Sequence, residues 1–386
     1  MPLSFPADTA PLAYTALPGL NTGLSWQNVQ RKRLKKFAEQ YMLETSKAVQ
    51  TLRSQGEPDT SLDAVQDTRA GFTELRVRLP VLNQYYRYTL SHGGTGDAAV
   101  LSKIKTLVLA WADTNQPTGK PIDETNFEGL LRVIKQRWSD FTAGEQTRIT
   151  SWLNALKTAK EAYAFTAATG EGSLLYSNHY THHYKVLLQV YDLLGLTTQY
   201  TALVSTITAF AAQNFPFGNG SIVVAPSPTA FNDATHDLPR AAVSAGESLD
   251  YIKRDALHYQ HYTLEPWLEI ALQIGGTGLQ TVMDNGVGFL RDAILAPASK
   301  HYEFAASVVP FDATRWQTSN PVYLQPNAMY RPDHAARVFM AYDVYKKGIN
   351  PSFALDDRLY ALLSRSSSLP SFWYYYFRWV FGGLYG

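Results

Sequence analysis

Asp97-Ala98-Ala99-Val100-Leu101-Ser102-Lys103-Ile104-Lys105-Thr106-Leu107-Val108-Leu109-Ala110-Trp111-Ala112 is the stretch that decides the fold class. Leu101, Ile104, Val108 and Trp111 recur at helical spacing, so one buried stripe is expected along a helix over 98–112. Asp97, directly after Gly96, carries the short acceptor side chain that caps a helix start. The periodicity returns at Phe127, Leu130, Leu131, Ile134 and Trp138, which predicts a helix over 123–141. Further out, helices are expected near 26–53, 62–90, 145–167, 180–194, 197–213, 250–274, 277–294, 333–347 and 354–364. Polar turn clusters separate them, among them Ser91-His92-Gly93-Gly94-Thr95-Gly96 and Gln116-Pro117-Thr118-Gly119-Lys120-Pro121. Helix after helix across polar turns predicts an all-α protein, its helical hairpins arranged in a ring or layer.

No segment reads as a linker, so residues 25–386 are expected to form one domain. A Pro/Ala/Thr/Gly-rich arm over 1–24 precedes it and lacks the basic-then-apolar order of a signal peptide. Two irregular stretches interrupt the helices, 214–239 with its prolines and 298–332, and long loops of this kind often carry function. The aromatic tail Phe372-Trp373-Tyr374-Tyr375-Tyr376-Phe377 suits a membrane interface or a sugar face, but packing on the protein's own surface is the expectation. A net charge of +1 gives no global basic field for nucleic acid, and no apolar run is long enough to span a membrane. Cysteine is absent, which excludes disulfides, thiol nucleophiles and cysteine-based zinc sites.

Five of the nine histidines sit in two short segments, Tyr176-Ser177-Asn178-His179-Tyr180-Thr181-His182-His183 and Arg254-Asp255-Ala256-Leu257-His258-Tyr259-Gln260-His261-Tyr262. On a helix, Arg254, His258 and Tyr262 fall within about 80° of arc, with His261 on the same side. Leu257, Leu264 and Leu268 point elsewhere, so one face is ionisable and another apolar. Pro266 has no N–H for the Tyr262 carbonyl, so the helix is expected to kink or end there. A solvated surface helix, or His and Tyr groups satisfying one another in a core, fits the same pattern. In the first segment His179 and His183 stand at metal-ligand spacing, but no HExxH or third ligand accompanies them. His182 and His183 otherwise read as an exposed helix start. Asn178 suits a cap at that start, where the helix dipole favours an anion.

Other motifs are thin. Gly275-Gly276-Thr277-Gly278 lacks the spacing and the preceding strand of a dinucleotide loop, and no Walker loop or GxSxG elbow occurs. Asp237, Asp250, Glu265 and Glu269 are available for a hydrolase pair, yet no spacing singles out two of them.

Four stretches together resemble the alginate lyase superfamily of α/α-toroid polysaccharide lyases: Thr95-Gly96-Asp97 with Leu109-Ala110-Trp111-Ala112; Pro121-Ile122-Asp123-Glu124-Thr125-Asn126; Ser177-Asn178-His179; and Arg254 through Trp267. The likeness covers residues 85–345. It implies an incomplete (α/α) toroid and β-elimination on a uronate polymer, mannuronate-rich alginate or a glucuronan-type polymer. It also implies Tyr262 as general base and acid, with Asn178, His179 and an arginine neutralising the uronate carboxylate. Arg254 is the candidate arginine, although Asp255 stands where the family places it. Ser177 and His261 also depart from the family's pattern. His258, His261, Arg240, Tyr330 and Arg331 are expected to bind neighbouring uronates, and Tyr85, Tyr86 and Trp267 to stack on sugar rings. No metal or organic cofactor is required. The partner is an anionic polysaccharide, neither nucleic acid nor a membrane, and such polymers imply a periplasmic or secreted location. A toroidal glycoside hydrolase and a non-catalytic uronate-binding protein are the rival classes.

Overall fold

The computed structural model describes residues 24–54, 62–93, 95–165, 178–215, 246–254, 257–295, 335–359 and 363. All regular elements among them are helical and none is a strand. The arm expected over 1–24, apart from Leu24, which already starts a helix, the bulk of 214–239, the 298–332 stretch and the aromatic tail lie outside the described residues. No described helix is long and apolar enough to cross a membrane.

The chain falls into two compact units. The first holds the described residues up to Tyr163 together with Gln189–Thr197 and Leu363; the second holds Ala164–Leu188 and Thr198–Leu359. Each is assembled from separated stretches, so no single cut divides the chain. The sequence expectation of one domain over 25–386 stands beside this division into two units.

In the first unit, α1 spans Leu24–Leu43. α2 (Leu62–Thr73) runs through a π-helical turn, Glu74–Arg78, into α3 (Leu79–Gly93). α4 is Ala98–Thr114, α5 Pro121–Glu124, α6 Phe127–Arg137 and α7 Ala143–Ala162. Asp97 caps α4 as expected, accepting from the Ala99 and Val100 amides at 3.0 and 3.2 Å. Gly96 before it has φ +63°, and a Cβ there would meet the Tyr86 ring at 2.6 Å. The α4 stripe is rotated from the expected one: Val100, Ile104, Leu107, Val108 and Trp111 are buried, while Leu101 is partly exposed.

The helix expected over 26–53 stops at Leu43. Tertiary partners take the backbone groups that a helix would have used. The buried Glu74 carboxylate accepts from the Lys47 amide (2.9 Å) and the Ser46 hydroxyl (3.0 Å), and the Asn115 amide donates to the Gln50 carbonyl (3.2 Å). The helix expected over 123–141 is divided into α5, α6 and a 3₁₀ turn at Trp138–Asp140. Glu124 ends α5 by turning back onto the Thr118 and Gly119 amides, where Lys160 of α7 closes a fully buried ion pair at 3.1 Å.

In the second unit lie α8 (Asn178–Leu193, through Leu188), α9 (Thr197–Asn214), α10 (Leu249–Arg254), α11 (Leu257–Ile274), α12 (Gln280–Leu295) and α13 (Ala336–Ile349). α11 is the hub and packs against α10, α12 and α13. Gly286 of α12 allows the close approach, because a Cβ there would come within 2.7 Å of the Leu264 side chain. Of the two outcomes expected at Pro266, a kink or an end, the helix does not end there. Leu264, Trp267 and Leu268 around it are fully buried, and this packing outweighs one lost backbone bond. Of the helix expected over 354–364, residues 357–359 and 363 are helical among those described.

Candidate active site

α8 presents two chemically different sides. Tyr180 and Tyr184 pack on Phe210 of α9, at ring-centroid distances of 5.4 and 5.6 Å. Asn178, His182 and Lys185 follow one another at helical spacing and meet α10 and α11 instead. Asn178 opens the helix and is 1 % exposed. Its backbone amide donates to Asp250 Oδ2 (2.8 Å) and its side-chain amide to Asp250 Oδ1 (2.6 Å). Thr263 of α11 donates to the same Oδ2 at 3.0 Å. One carboxylate on α10 thus fixes the start of α8 against α11 and sets the orientation of the Asn178 amide. At the far end of this contact, Lys185 and Glu269 form a buried ion pair at 2.5 Å.

The aromatic cluster lies along the same seam. The His182 ring stands 4.5 Å from that of Tyr262, tilted by 44°. His258, one helical turn before Tyr262, stacks on it at 5.9 Å and 16°. His261 meets His258 edge-on at 4.9 Å. Arg337 of α13 reaches into this group, its Nη2 lying 2.6 Å from His261 Nε2 and its Nη1 3.1 Å from Glu265 Oε2. Tyr262 and His258 keep part of their surface exposed, whereas His261 is buried. An amide, several imidazoles, a phenol and a guanidinium therefore assemble on three neighbouring helices. Together they can donate to an anion and exchange protons near neutral pH.

Of the residues expected in the site, Asn178, His258, His261 and Tyr262 take part in these contacts. His179 is buried beside Asn178 at the α8 start. Arg254 is the last residue of α10, and its side chain lies outside the described residues, as do Arg240, Tyr330 and Arg331. The three proposed stacking rings are core residues. Trp267 is fully buried, stacked on Phe210 at 5.9 Å and donating to Asn214 Oδ1 at 2.7 Å. Tyr85 is fully buried in the first unit, and burial pushes its phenol well above the ordinary range. Tyr86 is buried there too, with the Arg137 guanidinium 5.0 Å over its ring. Their apolar faces are already covered by protein, which leaves none for a sugar ring.

His182 and His183 are not the exposed helix start expected of them but are 2 % and 4 % exposed. The first faces Tyr262 and the second meets Phe165 edge-on at 5.3 Å. Among the described residues no three His, Cys, Asp or Glu groups converge as metal ligands.

Sequence reasoning did not place His182, Asp250, Thr263 and Arg337 in the site. His182 was within reach, since it lies one helical turn from Asn178. Asp250 stood out only as one of several carboxylates, and nothing near Arg337 in the chain announces its role. No protein-family model and no curated protein matches this chain.

Proposed function

We propose that this protein is a polysaccharide lyase that cleaves a uronate polymer, mannuronate-rich alginate by preference, through β-elimination. The observation that carries the reading is the partly exposed Tyr262 ring held against His182 and His258, on the seam where Asp250 orients the Asn178 amide. On this reading the helical hairpins belong to an incomplete (α/α) toroid, the partner is an anionic polysaccharide, and the location is periplasmic or secreted.

The C5 proton of a uronate is poorly acidic while the neighbouring carboxylate is charged. Asn178 gives one N–H to Asp250 and has a second to offer the carboxylate. His179 and an arginine, Arg254, complete the neutralisation, so the charge that develops on the enolate is met by positioned donors. A free phenol has a pKa of about 10, and imidazolium beside it favours the phenolate. Tyr262 then takes the C5 proton, the C4–O bond breaks as the C4=C5 double bond forms, and the same proton passes to the departing oxygen. No metal or organic cofactor enters this scheme.

A hydrolase needs two available carboxylates. Asp250 is held by Asn178 and Thr263, Glu265 by Arg337, and Glu269 by Lys185. Asp237 lies outside the described residues, and the commitments of the other three favour the lyase. The test is incubation with polymannuronate, mixed alginate and glucuronan while recording ultraviolet absorbance from the unsaturated end. Absorbance should rise fastest with polymannuronate. A faster rise on glucuronan would move the substrate but keep the reaction. New reducing ends without absorbance would indicate hydrolysis, and neither signal would leave a binding protein.

A further inference from the structure

Arg337 and His261 meet head-on across α11 and α13, with 2.6 Å between Nη2 and Nε2. A guanidinium has donors only and keeps its proton throughout the accessible pH range. As a hydrogen bond this contact requires a lone pair on His261 Nε2, which only the neutral imidazole with its proton on Nδ1 supplies. Imidazolium at that position would set two cations against each other in a buried setting. Glu265, one helical turn beyond His261, takes the other arm of the guanidinium at 3.1 Å and keeps Arg337 in place. His261 in turn meets His258, and His258 stacks on Tyr262.

We propose that Arg337 is a positioning residue for this site: it locks His261 as a neutral acceptor, which fixes the row His261–His258–Tyr262 along α11, and protonation of His261 releases it. Among the described residues, the charged and titratable groups around the row include His258, Tyr262, Glu265 and Glu269 on α11, Asp250 on α10, Arg337 on α13, and His182 and Lys185 on α8. Of these, Arg337 touches the His261 nitrogen directly and opposes its protonation, while Glu265 offsets part of that effect through Arg337 itself. An imidazole held neutral in the fold gives stability that is fully present above its ordinary pKa of about 6.5 and is lost as pH falls through the lower folded value. The site is thus built to disengage in acid. This deepens the lyase reading by naming a regulation of the same site, and it rests on that reading only for the role given to Tyr262.

The test is ¹⁵N-correlated NMR of the histidine side chains between pH 4.5 and 8.5, with the His261 signal assigned by its loss in His261→Gln. In the intact protein His261 should show the Nδ1–H tautomer and a proton affinity at least tenfold below that of an ordinary imidazole. Arg337→Met should raise that affinity at least tenfold, and Arg337→Lys should recover part of the difference. An Nε2–H tautomer in the unmodified protein, or ordinary titration there, overturns the proposal without recourse to any variant. Equal titration in Arg337→Met and the parent overturns it as well. A polymer panel that shows no turnover beside the expected NMR pattern would sink the lyase reading and leave this inference standing.

Discussion

The two units bury polar groups in different ways. In the first, the buried charges sit in closed sets of strong partners. Glu74 is held by Ser46, Lys47 and Trp111, and Glu124 by Thr118, Gly119 and Lys160. In the second, the seam of α8 and α11 has one such pair, Lys185–Glu269, at its far end, and otherwise carries imidazoles and a phenol that touch ring to ring, with an amide and a guanidinium at its margins. Carboxylate–ammonium pairs hold their charges across neutral pH and suit a framework. Imidazoles change charge there and suit chemistry. On the proposed lyase reading, the first set serves architecture and the second the reaction.

The largest effect expected is on turnover. Tyr262→Phe should lower the rate of unsaturated-end formation by about 10²–10⁴-fold, the usual worth of a positioned acid or base. The change removes one oxygen from a partly exposed side chain, so the free energy of urea unfolding should stay within about 0.5 kcal/mol of the parent. Full turnover in that variant would break the contrast at its reactive end.

Lys160→Met probes the opposite end. It strands the buried Glu124 carboxylate and should cost about 3–5 kcal/mol in urea unfolding, with the specific activity of the folded protein retained. A loss below about 1 kcal/mol would show that the pair is no framework element.

Asp123 sharpens the comparison by pH. Its side chain is fully buried; burial pushes the carboxyl up to about 6 from an ordinary 3.8, against the Ser54 amide, Lys120 and Arg53. A raised folded value means that its contribution to stability is fully present below about pH 4 and is lost as pH rises through about 6. Asp123→Asn keeps an acceptor for the Ser54 amide. It should therefore stabilise the protein by about 1–2 kcal/mol at pH 8 and flatten the slope between pH 4 and 6. Urea midpoints at pH 4.5 and 8 check this, and an unchanged slope would contradict it.

Much of the helical layout is legible in the sequence because period and caps are local. Asp97 caps α4, and α7 opens on a Thr142/Glu145 capping box two residues ahead of the helix expected over 145–167. Errors fall where tertiary partners outbid local preference. Residues 45–53 have no breaker of their own and leave the helix because Glu74 and Asn115 bind their backbone. Tyr85 and Tyr86 carry the chemistry of a sugar platform, yet their neighbours in the fold cover them. In the candidate site, Asn178, His258 and Tyr262 are readable because each segment places them by helical spacing. Arg337 is not readable, because it stands 76 residues from His261 in the chain.

The sequence by itself determined the all-helical class, most helix positions and the two histidine-rich segments, since each depends on neighbours within a few turns of one helix. Which rings are covered, where the α8 and α11 side chains meet, and which guanidinium joins them were decided by the tertiary structure alone. The reason is geometric. A helical period specifies the direction of a side chain about its own axis, and only the packing of separate helices specifies what lies in that direction.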